Sequence, residues 1–295
     1  MQAARGQRSG SAIEQSRLFQ NTPTATNQAV NADGTALAED DSDSSDDSFG
    51  TQVILKPRER IRTFFFSADA SDFYTSNAAL TPDDTIDDGF LVANAAFSWN
   101  PRISPRLEGQ LSIRSSIFRY HSNSALNFVN LGLGGGLFWS PENFGGVSLF
   151  ARYDLVELFD RHSEEILRDH TLTLGGQRTF ALGRNQALIL GATVMGGVSD
   201  PSSAQRQQAG IFLGYHVQIT RALDTELFYK VAYHNYNVAG RNDFNQILSW
   251  NLRYRLWQCA DLSAFLSFGS NRSDQSAFDY DVLTAGSGVG LIVRF

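Results

Sequence analysis

Histidine and carboxylate side chains are the residues of this sequence that could perform acid–base chemistry. The five histidines are His121, His162, His170, His216 and His234. A Ser-His-acid site needs its three groups within hydrogen-bond reach of one another. Three of the histidines lie in or beside predicted loops, and the G-x-S-x-G motif of a nucleophile elbow does not occur in the sequence. A pair such as Asp154 or Glu226 with His234 is therefore expected to be structural rather than catalytic.

The sequence has no spacing of cysteine, histidine or carboxylate residues that is typical of a metal site. The single cysteine, Cys259, excludes an internal disulfide and any cysteine-cluster metal site. The sequence contains no H-E-x-x-H motif, and the carboxylates of LTPDDTIDDG (80–89) do not have the spacing of a calcium loop. We expect a solvated loop there, and no bound metal or cofactor.

A second set of charged residues recurs at alternate positions of otherwise apolar stretches. Period-two alternation places such residues on one face of a β-strand and the apolar residues on the other. The resulting candidate pore-lining residues are Asp69, Glu108, Arg114, Arg152, Asp154, Glu226, Lys230, Arg253 and Arg255. They could line a water-filled passage that mildly favours anions. They could equally pair with one another and stabilise a closed interior, and the sequence leaves both interpretations open.

The strands that carry these residues are long. From Ile61 to Phe295, about twelve segments of about ten residues keep the period of two. Strands of soluble sandwiches average about five or six residues, whereas about ten tilted residues cross a bilayer. Longer polar connections, such as 75–89 and 156–169, alternate with tight ones, such as 182–186 and 220–222. The pattern predicts an all-β fold, a transmembrane up-and-down antiparallel barrel. The last strand, which ends in GVGLIVRF (288–295), is expected to pair with the first near Phe64 and Phe66, so that the sheet has no free edge.

Aromatic residues on the apolar face are grouped at the strand ends. The group at the tight-turn end comprises Trp99, Trp139, Phe180, Tyr254 and Phe295. Aromatic rings concentrate at the two interfaces of a membrane, where their amphipathic bodies are stable. We therefore expect these five residues to form an aromatic girdle on the periplasmic side.

The amino-terminal segment has a different composition. The chain has a net charge of −7, and the stretch EDDSDSSDD (39–47) carries much of the acidic excess. Few large apolar side chains and no periodicity over residues 1 to 50 predict disorder. We divide the chain into an acidic extension, residues 1–60, and a barrel, residues 61–295. The extension is interpreted as a periplasmic linker, with a plug inside the lumen as the alternative. With no long basic run, nucleic acid is not an expected partner.

The carboxyl end carries a motif. The sequence Gly290-Leu291-Ile292-Val293-Arg294-Phe295 resembles the β-signal by which the barrel assembly machinery recognises its clients, and the chain from about residue 61 resembles the bacterial outer-membrane β-barrel proteins. The candidate signal residues are Gly290, Val293 and Phe295. The usual signal has a polar residue where this chain has Gly288 and an aromatic residue where it has Val293. The resemblance implies an outer-membrane location, contact with membrane lipid, and both termini in the periplasm.

The sequence is compatible with three functions. The first is a channel or export port that passes a small solute or an extended polymer through a narrow polar lumen. The second is a non-conducting barrel that anchors, or forms part of, a larger cell-envelope complex with a periplasmic or envelope protein. The third, a lipid- or peptide-hydrolysing barrel, has no supporting motif, and we expect the chain not to be an enzyme.

Overall fold

The computed structural model describes residues 2–21 and 63–295. Its elements are one helix, α1 (Gln2–Asn21), and the strands β1 (Phe64–Thr75), β2 (Asp88–Trp99), β3 (Arg102–Ser104), β4 (Leu107–Tyr120), β5 (Phe128–Trp139), β6 (Val147–Asp160), β7 (Glu165–Ala181), β8 (Gln186–Asp200), β9 (Gln207–Gln218), β10 (Leu223–Tyr236), β11 (Arg241–Trp257), β12 (Ala260–Ser273) and β13 (Tyr280–Arg294), with four single-turn 3₁₀ helices in the connections.

Twelve of the strands between residues 63 and 295 close into one antiparallel barrel. Each pairs with its neighbours in sequence, except that β2 pairs with β4 and β3 only extends the hairpin before β4. Strand β13 pairs with β1, with Phe66 opposite Val293. Closure gives every wall strand two partners and leaves no free sheet edge. The predicted fold class, and the pairing of the last strand with the first near Phe66, are confirmed.

The side chains alternate between the two faces of the wall throughout. In β5, for example, Leu131, Leu133 and Leu137 are exposed on the outer face, while Phe128 is buried on the inner face. Large exposed apolar side chains occur on the outer face of every long strand. An apolar outer band of this kind suits contact with lipid rather than with water.

The strands run further at the long-connection end than the sequence pattern indicates. A loop is predicted over residues 156–169, but β6 continues to Asp160 and β7 begins at Glu165. The inward residues of this extension, Val156, Leu158 and Leu167, are buried and apolar. Because the inward side chains are apolar here while the outer face carries the ion pair of Glu157 with Arg168, the usual polar-inward alternation is reversed, and the sequence pattern reads as a polar loop although the strands continue.

The helix α1 was not expected, since the sequence predicts no regular structure in residues 1 to 50. Its sequence has favourable helix formers but also Gly6 and Gly10, and it lacks an apolar stripe. Residues 11–13 and 15–18 are nonetheless buried on all sides of the helix. Contact with the barrel interior therefore stabilises a helix that its own propensities would leave marginal.

The segment 22–62 lies outside the described residues. The acidic stretch 39–47 and the run TQVILKP (51–57) belong to it. The division of the chain at residue 60 consequently remains a prediction.

Candidate functional site

Helix α1 lies inside the barrel, in the half of the lumen nearest the long connections. Its Ser16 hydroxyl accepts a hydrogen bond from the Asn130 amide of β5 at 3.2 Å. Leu18 packs into an apolar cluster with Ile247 and Val282, which face inward from β11 and β13. The helix therefore contacts opposite parts of the wall and occupies the space between them.

An aromatic collar surrounds one side of α1. We give this name to the inward side chains Phe73, Phe90, Phe118 and Phe128, contributed by β1, β2, β4 and β5. Their rings stack on one another, with centroids 5.3 Å apart for Phe73 and Phe90 and 4.2 Å apart for Phe118 and Phe128. The ring of Phe19 meets three of them edge-on, at 5.1, 6.0 and 5.3 Å from Phe73, Phe90 and Phe118. Such edge-to-face contacts are favourable in addition to the apolar area that they bury.

Two of the long connections fold inward and hold α1 by hydrogen bonds. The Ser11 hydroxyl donates to the carbonyl oxygen of Ala79 at 2.8 Å, and the Gln15 amide donates to the carbonyl oxygen of Ala78 at 3.1 Å, both in the β1–β2 connection. From the β8–β9 connection, the carbonyl oxygen of Ala204 accepts a hydrogen bond from the Arg17 guanidinium at 2.7 Å. Polar side chains of α1 thus donate hydrogen bonds to backbone carbonyl groups that the helix shields from water.

The opposite side of α1 faces charged groups. Arg17 also pairs with Asp169 of β7 at 3.1 Å. The Glu14 carboxylate accepts a hydrogen bond from the Tyr236 hydroxyl at 3.2 Å and lies 3.6 Å from a guanidinium nitrogen of Arg241. Arg241 in turn pairs with Asp243 at 3.0 Å and lies over the Tyr236 ring, 3.9 Å from its centroid. Opposite charges therefore hold this side of the helix, as aromatic contacts hold the other.

The charge state of Glu14 follows from these neighbours. Burial by itself raises the pKa of a carboxyl group, but the guanidinium groups of Arg17, Arg206 and Arg241 outweigh it and lower the pKa of Glu14 below its ordinary value. The side chain is consequently ionised at neutral pH and contributes a negative charge to the contact with the wall.

The other half of the lumen, nearest the tight turns, is polar. Asp154 accepts hydrogen bonds from Arg114 at 2.6 Å and from Arg152 at 2.8 Å, so that one carboxylate bridges two guanidinium groups. The amide of Asn94 donates to Asp69 at 2.8 Å. The bridge on Asp154 brings together three of the residues predicted from sequence to face the lumen, and Asp69, a fourth, is joined to Asn94.

A glycine of β5 makes room for the bridge on Asp154. A Cβ atom on Gly134 would lie 2.9 Å from an Asp154 carboxylate oxygen and 2.7 Å from the Ser112 hydroxyl. Gly134 belongs to the run LGLGGG (131–136), and glycines of a barrel strand can widen the lumen or permit the wall to bend. At Gly134 the space is filled by the side chains of neighbouring strands.

The remaining predicted lining residues also have inward positions. Glu226 and Lys230 lie four residues apart on the inward face of β10, and Glu108 lies on the same face of β4 as Arg114. Arg253 donates to Asp224 at 3.1 Å, and Arg255 occupies the next inward position of β11. Glu108, Glu226, Arg253 and Arg255 lie toward the tight turns, so charges of both signs face that half, whereas Lys230 lies further along β10, near Arg206.

The aromatic residues predicted as a girdle lie near the tight-turn ends of their strands. Trp99, Trp139, Tyr254 and Phe295 are exposed on the outer face. Phe180 is partly exposed beneath the Arg178 guanidinium, which lies 4.7 Å from its ring centroid. Their common depth is compatible with an interface, and their role there stays a prediction.

The pair of Asp154 with His234 considered from sequence is not assembled in the described part of the chain. The hydrogen-bonded partners of Asp154 are the two arginines, and His234 makes an edge contact with the Tyr236 ring. No three His, Cys, Asp or Glu side chains within the described ranges are grouped to hold a metal ion. None of the helices described in residues 2–21 and 63–295 is long and apolar enough to cross a membrane.

Sequence reasoning missed the aromatic collar and α1. The signal for the collar was present, because Phe73 and Tyr74 in SDFYT are adjacent and must point to opposite faces. An apolar residue at a position that alternation assigns to the inward, usually polar face indicates that side chains pack together inside the barrel at that height. No comparable signal marks α1, since its buried residues are largely polar.

Comparison with known proteins identifies the fold. No protein-family model matches the chain, and no curated protein matches its sequence. The COG4313 outer membrane channel from Pseudomonas putida F1 is similar in structure, with a TM-score of 0.54 and 10% identity over 81% of this chain and 100% of that one. The outer membrane channel DcaP of Acinetobacter baumannii has a TM-score of 0.44 and 11% identity over 78% and 96% of the two chains. The chain therefore has the fold of the bacterial outer-membrane β-barrels, and likeness at such identities concerns the fold alone.

Proposed function

We propose that this chain is a channel of the bacterial outer membrane that α1 holds closed in the observed conformation. Its long connections would face the cell exterior and its tight turns the periplasm, as is usual for barrels of this kind. A small solute or an extended polymer would pass through the polar half of the lumen after α1 moves aside.

The position of α1 is the observation that supports this proposal most directly. The helix fills the mouth at the long-connection end, yet every contact with the wall described above is non-covalent and local. Inward charges line the other half, including the Asp154 bridge to Arg114 and Arg152. A removable stopper above a polar passage is the arrangement expected of a gated channel.

A reversible tether between helix and wall tests the proposal. Ser16→Cys and Asn130→Cys, in a Cys259→Ser background, would place two thiols where the Ser16 hydroxyl and the Asn130 amide now lie 3.2 Å apart. A short bis-methanethiosulfonate reagent would join them, and a reductant would release them. We expect openings in planar bilayers before cross-linking, their loss after it and their return on reduction.

A matched pair of cysteines away from the helix provides the control. Asn185 donates from its side chain to the carbonyl oxygen of Gln218 at 3.1 Å in the tight-turn region, so Asn185→Cys and Gln218→Cys give a tether that does not touch α1. Openings unaffected by this control tether and abolished by the helix tether would support gating by α1. Identical behaviour of the two tethers, or no openings under any condition, would refute it.

A permanently closed barrel that anchors a larger envelope complex is the second candidate. The aromatic collar favours it, because Phe19 packs against three buried rings as tightly as in a protein core. Openings absent even after deletion of residues 1–21 would favour this alternative. Under either proposal the outer face contacts membrane lipid, and the barrel assembly machinery inserts the chain. We propose no enzymatic activity for it.

A further inference from the structure

The half of the lumen that α1 occupies has two chemically different walls. One wall is the aromatic collar of Phe73, Phe90, Phe118 and Phe128, together with Leu158. These side chains come from strands β1 to β6. A planar apolar group would find stacked and edge-on ring partners along this wall.

The other wall is basic and lies across the lumen on β10, β11 and the β8–β9 connection. We call it the basic wall and define it by Arg206, Lys230, His234 and Arg241. Arg206 and Arg241 are only 8% and 6% exposed. Within the described part of the chain, the Nε–H groups of these two arginines have no hydrogen-bond partner. Arg206 is also near enough to Lys230 and His234 to influence them electrostatically.

The basic wall depends on α1 for part of its negative charge. Glu14 lies 3.6 Å from Arg241 and also interacts with Arg206. Asp243 is the acidic group of the wall itself, at 3.0 Å from Arg241. If α1 left without a replacement, Arg206 and Arg241 would lose the Glu14 carboxylate, and the wall would face the lumen with an excess of positive charge. A concave surface with such an excess favours another anion.

Helix α1 presents one group to each wall. The Phe19 ring contacts three rings of the collar, and the Glu14 carboxylate contacts the basic wall. Phe19 follows Glu14 by five positions, which corresponds to a rise of about 7.5 Å along the helix axis. The helix therefore joins an aromatic ring and a carboxylate at a fixed separation, as a small amphipathic molecule could.

We propose that the long-connection half of the lumen is a binding site for an organic anion that carries an aromatic ring and a carboxylate, and that α1 is its internal competitor. This inference rests on the proposed channel and names its substrate class. The ring would replace Phe19 on the collar, and the carboxylate would replace Glu14 on the basic wall. Because ligand and helix use the same groups, binding of one excludes the other, and the ligand shifts the channel toward the open state.

Binding of 5-phenylpentanoate to the full chain in nanodiscs, measured by calorimetry, tests the site. Pentanoate lacks the ring and 5-phenylpentan-1-ol lacks the charge, so both should bind at least tenfold more weakly. Glu14→Gln weakens the competitor and should strengthen 5-phenylpentanoate binding several-fold. Arg206→Gln removes a cation of the basic wall and should weaken binding at least tenfold, whereas Arg168→Gln, on the outer face, should leave it unchanged.

Several results would overturn the inference. Equal affinity for the three compounds would show that binding is simple partitioning into lipid. A folded Arg206→Gln barrel that binds as the unmodified chain does would exclude the basic wall. If Arg206→Gln does not fold, unchanged affinity in Glu14→Gln would exclude competition by the helix.

Conductance separates this inference from the proposed function. Openings that 5-phenylpentanoate increases, and that pentanoate does not, support both. Openings that respond to none of the compounds would support the proposed channel and refute the proposed ligand. Binding of 5-phenylpentanoate without openings, even after deletion of residues 1–21, would refute the proposed channel and support the proposed binding site.

Discussion

The main chains of Phe64 and Phe295 exchange two hydrogen bonds: the N–H of each donates to the carbonyl oxygen of the other at 3.0 Å. Their rings also stack on the outer face, with centroids 6.1 Å apart and 15° between the planes. This pair stands at the tight-turn end of the seam where β13 meets β1, and it completes the register that begins with Phe65 opposite Arg294.

Removal of Phe295 should impair assembly of the barrel. The deletion removes both hydrogen bonds and the stacking, which together contribute about 2 kcal/mol. Arg294→Gln is the matched control, because the Arg294 side chain is exposed. The yield of folded barrel, read from its heat-modifiable migration on a gel, should fall only for the deletion. Equal yields would show that the seam closes without this pair.

Phe19→Ala should favour the open channel. The substitution removes three edge-to-face ring contacts from the closed conformation. A loss of about 2 kcal/mol corresponds to roughly a thirtyfold shift toward opening. Phe144→Ala, in the exposed turn between β5 and β6, is the control. Single-channel open probability is the measurement, and an unchanged value in Phe19→Ala would argue against α1 as the gate.

Arg17 and Asp169 should prove energetically coupled. Their 3.1 Å pair joins α1 to β7, and Arg17 also donates to the carbonyl oxygen of Ala204. Arg17→Gln and Asp169→Asn should each raise the open probability about tenfold, and the double variant should do so by less than the product of the two. Strict multiplicativity would mean that the pair does not hold the helix.

Acid should open the channel through Glu14. The pKa of Glu14 is lowered by Arg17 on α1, Arg206 of the β8–β9 connection and Arg241 of β11, with a hydrogen bond from Tyr236 of β10. A lowered pKa stabilises the docked helix fully above the ordinary glutamate pKa, and the stabilisation is lost as the pH falls through the lowered value. Open probability should therefore rise below about pH 4.5.

The variant Glu14→Gln isolates this effect from the titration of other acids. It should open more readily at neutral pH and show a smaller response to acid. An acid response as large as that of the unmodified chain would assign the titration to another carboxyl group of the lumen.

Gly134→Val should disturb the polar half of the lumen. The new side chain would meet Asp154 and Ser112 at distances that require the bridge between Arg114 and Arg152 to move. We expect a loss of stability of about 1–3 kcal/mol and altered ion selectivity. Gly183→Ala, where a Cβ atom meets nothing within 4 Å, is the control. Thermal unfolding and reversal potentials in a salt gradient measure the two effects.

The sequence by itself determined the wall of the barrel. Alternation of period two fixes which side chain faces lipid, since successive residues of a strand must point to opposite faces, and it assigns Arg114, Arg152 and Asp154 to one face of the wall. The C-terminal pattern also predicted the partner of the last strand. These are local properties of the chain, and each strand carries its own copy of the signal.

Only the tertiary structure decided what fills the lumen. The collar unites Phe73, Phe90, Phe118 and Phe128 from four strands, and the burial of α1 depends on an enclosure that residues far along the chain create. A helix set between an aromatic wall and a charged one needs mixed polar and apolar residues on every side. Its sequence therefore resembles that of a disordered segment, and only its surroundings make it a helix.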